Sequence, residues 1–397
     1  METYSTWTVT SDDGELTHGE TRLLPESYKA QSIELISPVF RFDDPQSFSQ
    51  IREMLEALKW LEQRFKCHFI VNKTCGFHVH FACGKEKIPD DTAKCIYQIF
   101  LAHERTIDSI HARSRVLAPA WKRHDDIERP LYAPLSAFQG AAHLLRNSIQ
   151  GEQDRNLFAW LRRVEHCDDY GDICKMFEAE FKKGYLDGHC ANVNFDNAHA
   201  HTDRNGAQCT KTTIEFRQHL GTREYDEMYR YVKFLGSVIT CCQQASDEAF
   251  IETLLSATSP TYSFDQLCQA VNVPEDARAL FLQTPPSIAT FPAVETPYGA
   301  PSIGQFLAQN AHENALNRDP ADVNRMRAEK YSTGYYGIQP NAQPLIFDQE
   351  KVKDLLVSAR EDLSRSRFEE VTSSSLLSDE EQNDKVIARM NAKWNGK

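Results

Sequence analysis

Several features that would assign this chain to a large class of proteins are missing from its sequence. No apolar run approaches the roughly 20 residues that a helix needs to span a bilayer, which argues against an integral membrane protein. Acidic residues outnumber basic ones by 57 to 44, for a net charge of −13, whereas general affinity for nucleic acid needs a basic face. We therefore expect neither a membrane nor a nucleic acid among the partners.

Common cysteine and nucleotide motifs are missing as well. Eleven cysteines are scattered through 397 residues, and no pair has the Cys-x-x-Cys spacing typical of a structural zinc site. The first 13 residues are polar and do not resemble a secretory signal peptide, so we expect reduced thiols and a cytoplasmic protein. Neither a Walker loop nor the motif set of protein kinases occurs, so a nucleotide would have to be held by other means.

The stretch 74–82, Thr-Cys-Gly-Phe-His-Val-His-Phe-Ala, has the alternation of a half-buried strand. Its apolar side chains point to one face, and His78 and His80 point to the other. The two imidazoles lie about two strand rises apart (roughly 6–7 Å), so both can reach one ion or one anion. Gly76 permits a close approach to the backbone just before them. The pattern predicts a binding face on an apolar backing.

Two further strands place charged groups among apolar residues. In the stretch 212–219, Glu215, Arg217 and His219 share one face by period two, and apolar residues form the other. In the stretch 33–38, the carboxylate of Glu34 interrupts an apolar run, which is costly unless the charge is paired or bound to a metal. These strands together predict a built site rather than scattered surface charges.

The order strand, amphipathic helix over 45–65, strand, strand predicts a mixed unit of helices and strands rather than a helical bundle, and the fold class that we expect is α+β. A second helix is predicted over 91–115. Its basic end either complements the helix dipole or forms a phosphate-facing patch. We predict a catalytic domain over 1–285, a helical covering extension over 286–372, and a disordered acidic tail over 373–397.

The residue types of these strands suit phosphoryl transfer. Carboxylates with an imidazole favour Mg²⁺ or Mn²⁺ over softer metals. Arg217 beside Glu215 provides a planar fork for phosphate or carboxylate. Metal ions and arginine together neutralise the transferring group when ATP is the phosphoryl donor.

Three motifs in this order resemble the putative amidoligase family of carboxylate–amine ligases, which is similar to glutamine synthetase and glutamate–cysteine ligase. They are Glu-Leu-Ile-Ser-Pro at 34–38, Thr-Cys-Gly-Phe-His-Val-His at 74–80, and Thr-Ile-Glu-Phe-Arg-Gln-His at 213–219, followed by Gly-Thr at 221–222. The likeness covers roughly residues 5–245. It implies a glutamine-synthetase-like curved antiparallel sheet with helices on one face, holding divalent metal and ATP. ATP would phosphorylate a small-molecule or peptide carboxylate, and an amine would displace the phosphate.

The resemblance also implies a role for each site residue. Glu34 would hold a metal near the substrate and take part in catalysis, and His78 and Glu215 would hold the metal between the ATP phosphates. His80 would contact the nucleotide phosphates, and Arg217 would bind and stabilise the moving phosphoryl group.

The resemblance also implies that Arg115 would bind the cofactor. The segment 104–115 resembles the family's helix that ends in an arginine after its histidine strand.

The family's preceding strand carries a Gly-x-Glu-x-Glu motif whose two glutamates bind metal, whereas this chain begins at what resembles the next strand, 7–11. We therefore expect a fold that lacks the family's first strand and a metal site that lacks the two carboxylates of that strand. This leaves open an alternative function, a catalytically impaired ligase-fold protein, truncated at its N-terminus, that binds a nucleotide or a peptide.

A zinc hydrolase built on His78 and His80 is a weaker alternative. Sites like those of metallo-β-lactamases need an aspartate two residues after the second histidine, and Ala82 occupies that position. A Cys/His nucleophile using Cys75 is also weak, since strand geometry would point its thiol away from both imidazoles.

Overall fold

A computed structural model describes the parts of the chain that carry the site. The described residues are 5–12, 16, 18–116, 120–122, 128–130, 161, 164–165, 167–174, 192–198, 201–202, 208–209, 212–257, 259, 261–283, 288–291, 293 and 301–332. All of them belong to one compact unit, Met1–Ile346. The predicted acidic tail, 373–397, lies outside the described residues.

The described elements mix short strands with longer helices. The helices are α1 (His18–Leu23), α2 (Pro45–Phe65), α3 (Asp90–Ala102), α4 (Glu104–Ile107), α5 (Arg113–Val116), α6 (Tyr225–Gln244), α7 (Asp247–Ser256), α8 (Phe264–Ala270), α9 (Glu275–Phe281), α10 (Ile303–Arg318) and α11 (Pro320–Ser332). The strands are β1 (Thr8–Ser11), β2 (Ile33–Ile36), β3 (Gly76–Phe81), β4 (Ala120–Lys122), β5 (Glu128–Pro130), β6 (Val193–Asn194), β7 (His201–Thr202), β8 (Gln208–Cys209) and β9 (Ile214–Leu220).

The strands form small antiparallel sheets, which confirms the α+β class. The largest described sheet has three strands in the order β3–β9–β6, and β1 pairs with β2 in a separate sheet. Within the described residues these sheets stay separate, so a single large curved sheet of the glutamine-synthetase kind is not confirmed. The histidine strand and the Glu215 strand are direct neighbours in the three-stranded sheet.

Helix α2 has the bounds that the sequence predicts, because its local signals agree with one another. Asp44 caps its start by accepting a hydrogen bond from the backbone N–H of Gln46 at 2.9 Å, and Pro45 occupies the first turn. Lys66 ends the helix in the left-handed conformation. The apolar face of α2 packs against α6 and against Leu35 and Phe77 of strands β2 and β3.

A second apolar layer backs the three-stranded sheet. Phe216 of β9 lies 5.2 Å from the ring of Phe100 in α3 and 6.1 Å from the ring of Phe81 in β3. Phe100 in turn approaches Phe234 of α6. Burying one face of β9 against α3 and α6 fixes which side chains are left for the opposite face.

The single helix predicted over 91–115 is wrong, because the segment is broken into α3, α4, a 3-10 turn over Asp108–Ile110, and α5. The first break falls at His103, which is fully buried and whose Nε2 lies 2.9 Å from the carbonyl oxygen of Thr253 in α7. No glycine or proline marks this break. The helix ends where a buried imidazole forms a long-range hydrogen bond through its Nε2.

Helix α10 lies in the predicted covering extension and bonds to segments that frame the three-stranded sheet. Asn310 donates to the buried carboxylate of Glu20, whose other oxygen accepts from Asn72 in the loop before β3, both at 2.9 Å. Asn314 donates to the carbonyl of Val71 in the same loop. Arg318 donates to the carbonyl of Gly221, just after β9. One face of α10 therefore connects the loop before β3 with the turn after β9 through side-chain hydrogen bonds.

Replacing Asn310 with alanine should lower the free energy of unfolding by about 1–3 kcal/mol, because one oxygen of the buried Glu20 loses its donor. Urea unfolding measures this change. Asn324→Ala is the matched control: Asn324 lies in α11, is exposed, and should shift stability by no more than about 0.5 kcal/mol. Equal effects of the two substitutions would show that the buried contact contributes nothing.

None of the described helices combines the length and the apolar character that crossing a bilayer requires. Every cysteine side chain that the structure describes carries a free thiol.

Candidate functional site

The site is built on the pairing of β3 with β9. His80 lies directly opposite Glu215 in the antiparallel register, so their side chains share one face of the sheet. Phe81 pairs with Ile214 on the opposite, apolar face. The period-two predictions that place His78 with His80, and Glu215 with Arg217, are confirmed, and the pairing of β3 with β9 brings the two pairs together.

Glu215 is the centre of this polar cluster. One oxygen, Oε1, accepts a hydrogen bond from Arg217 and lies 3.4 Å from His78 Nδ1 and 3.5 Å from His80 Nε2. The other, Oε2, accepts from the amides of Asn194 at 2.8 Å and Asn197 at 3.3 Å. A single carboxylate therefore orients five neighbouring side chains.

The cluster has a buried floor and a partly open rim. The Glu215 side chain is 3% exposed, whereas Arg217, His78 and His80 are 23%, 30% and 40% exposed. His80 also lies 3.2 Å, through its Nδ1, from the hydroxyl of Thr213. Solvent, and any ligand, reaches the buried carboxylate past two imidazoles and one guanidinium.

The charge balance keeps Glu215 ionised. Burial by itself raises its pKa, but Arg217, then His80 and His78, and the hydrogen bond from Asn194 together lower the pKa below its ordinary value. The carboxylate stays negative at neutral pH, which holds Arg217 in place.

The neighbouring His78 stays neutral. Burial lowers its pKa to about 3, and the positive charges of Arg217 and Arg115 act in the same direction, while Glu215 partly opposes them. A neutral imidazole keeps a lone pair available for a metal ion or for a proton. The cluster thus presents one anion, one cation and a neutral base within one recess.

His219 does not belong to this face, contrary to the period-two prediction. Phe77 pairs with His219 and Val79 with Phe216, so one residue of β3 lies opposite the two residues 217–218 of β9. This β-bulge reverses the alternation beyond it. The His219 ring packs on the apolar side, 5.8 Å from Phe77 and 4.4 Å from Tyr231.

Gly76 is required by the position of the His78 ring. A Cβ atom at residue 76 would lie 2.3 Å from His78 Nε2 and 2.9 Å from its Cδ2. The close approach predicted at Gly76 is therefore made by an imidazole of its own strand.

Gly76→Ala should displace the His78 ring while leaving the fold intact, because the atoms that clash are those of a side chain free to rotate. We expect the pKa of His78 to rise from about 3 towards its ordinary range as the ring loses burial, measured by NMR titration. Gly304→Ala is the control, since its added methyl group meets only Ser302 Oγ at 3.8 Å. An unchanged His78 pKa in the Gly76 variant would contradict this account.

Glu34 lies in a different sheet from the cluster. It is exposed on β2, and its Oε2 lies 3.5 Å from the hydroxyl of Thr10 on the paired strand β1. Its neighbour Leu35 packs in the apolar cluster that also receives Phe77. The described contacts bring Glu34 no partner from the Glu215 cluster, and its metal-binding role stays a prediction.

The basic residues at the end of the predicted helix 91–115 contact other parts of the protein. Arg115 is 4% exposed and donates to the carbonyl of Cys75 beside β3. Arg113 pairs with Asp322 of α11 at 2.6 Å, and His111 packs 5.5 Å from the His219 ring. Arg115 therefore holds the start of the histidine strand by a hydrogen bond, and its positive charge helps to keep His78 neutral. Its contact with a nucleotide stays a prediction.

The cluster fits a metal bound together with a nucleotide better than a metal bound alone. Among the described residues, no three His, Cys, Asp or Glu side chains are placed together to hold an ion. Glu215 is ionised and His78 is neutral, the protonation states that metal ligands need. Mg²⁺ commonly binds through one or two carboxylates, with water and substrate phosphates completing its octahedron.

Asn194 and Asn197 are site residues that the motifs did not identify. The stretch Asn-Val-Asn at 192–194 carried a signal, since its alternation matches a strand with amides on one face. Only the pairing of β6 with β9, Asn194 opposite Glu215, assigns those amides to the carboxylate.

Comparison with known families finds a match to the N-terminal part of the chain. Residues 1–126 match the model of a family described as putative amidoligase enzyme, which confirms the resemblance for the first two motifs. The match includes Glu34 and the histidine strand, and it ends before β9. No curated protein and no solved structure gives a significant match. The pairing of β3 with β9 brings Glu215 and Arg217, outside the matched residues, onto the histidines within them.

Proposed function

We propose that this protein is an ATP-dependent ligase that joins a carboxylate to an amine through an acyl-phosphate intermediate. The family match over residues 1–126 supports a ligase. The observation that carries the mechanism is the Glu215 cluster, where a buried carboxylate, an arginine and two imidazoles converge at a partly open recess. A glutamine-synthetase-like curved sheet that completes this recess is part of the proposal.

In this reaction the γ-phosphoryl group leaves ADP and forms a bond to an oxygen of the carboxylate substrate. The amine nitrogen then attacks the activated carbonyl carbon, the bond to phosphate breaks, and the amine loses a proton. Arg217, 23% exposed at the rim, would turn from Glu215 towards the moving phosphoryl group and stabilise its charge. His80, the most exposed member of the cluster, would donate a hydrogen bond to a phosphate oxygen.

Glu215 and His78 would hold Mg²⁺ or Mn²⁺, with the ATP phosphates and water as the remaining ligands. Such an ion supplies charge neutralisation on the phosphates. The role of Glu215 when no nucleotide is bound is to keep Arg217 and the two asparagine amides oriented, so that little reorganisation precedes binding.

The products of ATP test the mechanism. With a panel of carboxylic acids and hydroxylamine as the amine, turnover should yield ADP, inorganic phosphate and a hydroxamate, because the acyl-phosphate route transfers the γ-phosphoryl group. Formation of AMP and pyrophosphate would identify an adenylating enzyme and refute the proposal.

Arg217→Lys should lower the turnover number by about 10²-fold, because lysine keeps the charge and loses the planar fork that a phosphoryl group accepts. Arg41→Lys is the matched control, since Arg41 pairs with Asp43 at a fully solvated surface and should leave turnover unchanged. Wild-type turnover in the Arg217 variant would remove this residue from the chemistry.

A second candidate is a ligase-fold protein that binds a nucleotide or peptide without turnover. The observation that favours it is the small number of carboxylates near Glu215, with no group of three metal-ligating side chains among the described residues. Calorimetry with Mg²⁺ and ATP separates the two candidates. Binding without phosphate release across the acid panel would favour the second.

A further inference from the structure

Asn192 extends the ladder of β6 alongside the Glu215 cluster. Val193 pairs with Phe216 and Asn194 with Glu215, and the backbone N–H of Arg217 donates to the carbonyl of Asn192 at 2.9 Å. Asn192 is therefore the cross-strand neighbour of Arg217. Directly opposed side chains on one face lie about 4.5–5.5 Å apart at their Cβ atoms.

The face on which Asn192 lies follows from the alternation of β6. Val193 is 1% exposed and shares the apolar face with Phe216, while Asn194 reaches Glu215 on the polar face. Residues two apart in a strand share a face, so Asn192 belongs to the polar face with Asn194.

Asn192 differs from the other two asparagines of the site in its hydrogen bonding. Asn194 and Asn197 donate to Glu215. Asn192 is 5% exposed, and its Oδ1 finds no hydrogen-bond partner in the part of the chain that the structure describes. A buried acceptor without a donor is destabilising, and a bound partner that donates a hydrogen bond would satisfy it.

We propose that Asn192 binds the amine substrate by accepting a hydrogen bond from its N–H at Oδ1. This inference rests on the proposed ligase function and deepens it. Of the groups that meet at the reaction centre, the phosphates and the carboxylate carry no hydrogen to donate at neutral pH. A primary amine carries two. Asn192 therefore selects the nucleophile, and its position beside Arg217 holds that amine next to the phosphoryl-transfer site.

Side-chain amide NMR tests the binding step directly on the full chain. The ¹⁵N–H pair missing from the Asn192→Asp spectrum identifies the Asn192 amide, and the probe is hydroxylamine, titrated with and without Mg²⁺ and a non-hydrolysable ATP analogue. We expect this amide signal to shift saturably with hydroxylamine in at least one condition, and to remain fixed with equal concentrations of sodium chloride. A shift caused by inorganic phosphate instead, or no shift in either condition, overturns the proposal.

Kinetics separate this inference from the ligase function. Asn192→Ala should raise the KM for hydroxylamine about tenfold, the equivalent of one hydrogen bond of about 1.4 kcal/mol, with the KM for ATP unchanged. Asn192→Asp keeps an acceptor oxygen and should leave the KM for hydroxylamine no higher than in the wild type. Gln269→Ala, at an exposed position of α8, is the unaffected control.

The two proposals fail in different ways. If the wild type forms no ADP with any acid while the Asn192 signal shifts with hydroxylamine, the ligase reaction is refuted and the amine-binding residue stands. If the wild type turns over and Asn192→Ala leaves the KM for hydroxylamine unchanged, the ligase stands and the role of Asn192 is refuted.

Discussion

Glu215→Ala should lower the free energy of unfolding by about 3 kcal/mol, because it leaves the guanidinium of Arg217 unpaired and removes the acceptor of Asn194. This is the low end of the range for a broken buried ion pair, since Arg217 keeps some contact with solvent. The same substitution should abolish any ATP turnover. Glu215→Gln, which keeps the volume and an acceptor oxygen, should recover part of the stability and none of the turnover.

Glu34→Ala provides the matched comparison. Both glutamates stand alone in apolar strand sequences, but Glu34 is exposed, and the contact that the described residues give it is a 3.5 Å approach to the hydroxyl of Thr10. We expect Glu34→Ala to change stability by no more than about 0.5 kcal/mol in urea unfolding at neutral pH. Similar losses in the two variants would mean that burial of Glu215 does not decide its contribution.

Lowering the pH from 7 to 5 should destabilise the protein, and two fully buried histidines should account for about 4 kcal/mol of the loss, measured from urea unfolding at constant ionic strength. Burial lowers the pKa of His219 and of His103 to about 4. The folded state keeps both imidazoles neutral, while the unfolded chain binds protons near its ordinary pKa of about 6.5. The stabilisation is therefore complete above pH ~6.5 and is lost as the pH falls towards 4, at about 2 kcal/mol for each imidazole by pH 5.

His219→Phe isolates half of this effect. Phenylalanine has a similar shape and would still pack against Phe77 and Tyr231, but it cannot bind a proton. The variant should lose about 2 kcal/mol less than the wild type between pH 7 and pH 5. Equal losses would show that His219 titrates normally in the folded state. His68, which is exposed, offers a control as His68→Gln.

The polar face of the site could be predicted from the sequence as far as strand alternation holds. His78 and His80 alternate with aromatic and aliphatic residues over a continuous strand, and Glu215 and Arg217 do the same. Period two therefore gave the shared face of each pair correctly, and only the pairing of the two strands brought the pairs together. Period two failed at His219, because the bulge opposite His78 lies in the pairing of two strands more than 130 residues apart and leaves no mark in either strand alone.

Whether each of the two isolated carboxylates is buried and paired or exposed to solvent also depends on the tertiary structure. A glutamate inside an apolar strand predicts a partner, and Glu215 has five. Glu34 faces solvent on a two-stranded sheet and so avoids the cost of burying an unpaired charge. Which outcome applies depends on whether another layer covers that face of the strand. The sequence of the strand itself does not contain this information.

The sequence by itself determined the element whose signals are local, helix α2, through its aspartate cap, its proline start and its apolar spacing. Only the tertiary structure decided what depends on distant partners. His103 ends α3 to reach Thr253, and Asn310 crosses from α10 to the buried Glu20. The physical reason is that a buried polar group must find a hydrogen-bond partner, and that partner is supplied by the fold and not by the neighbouring residues.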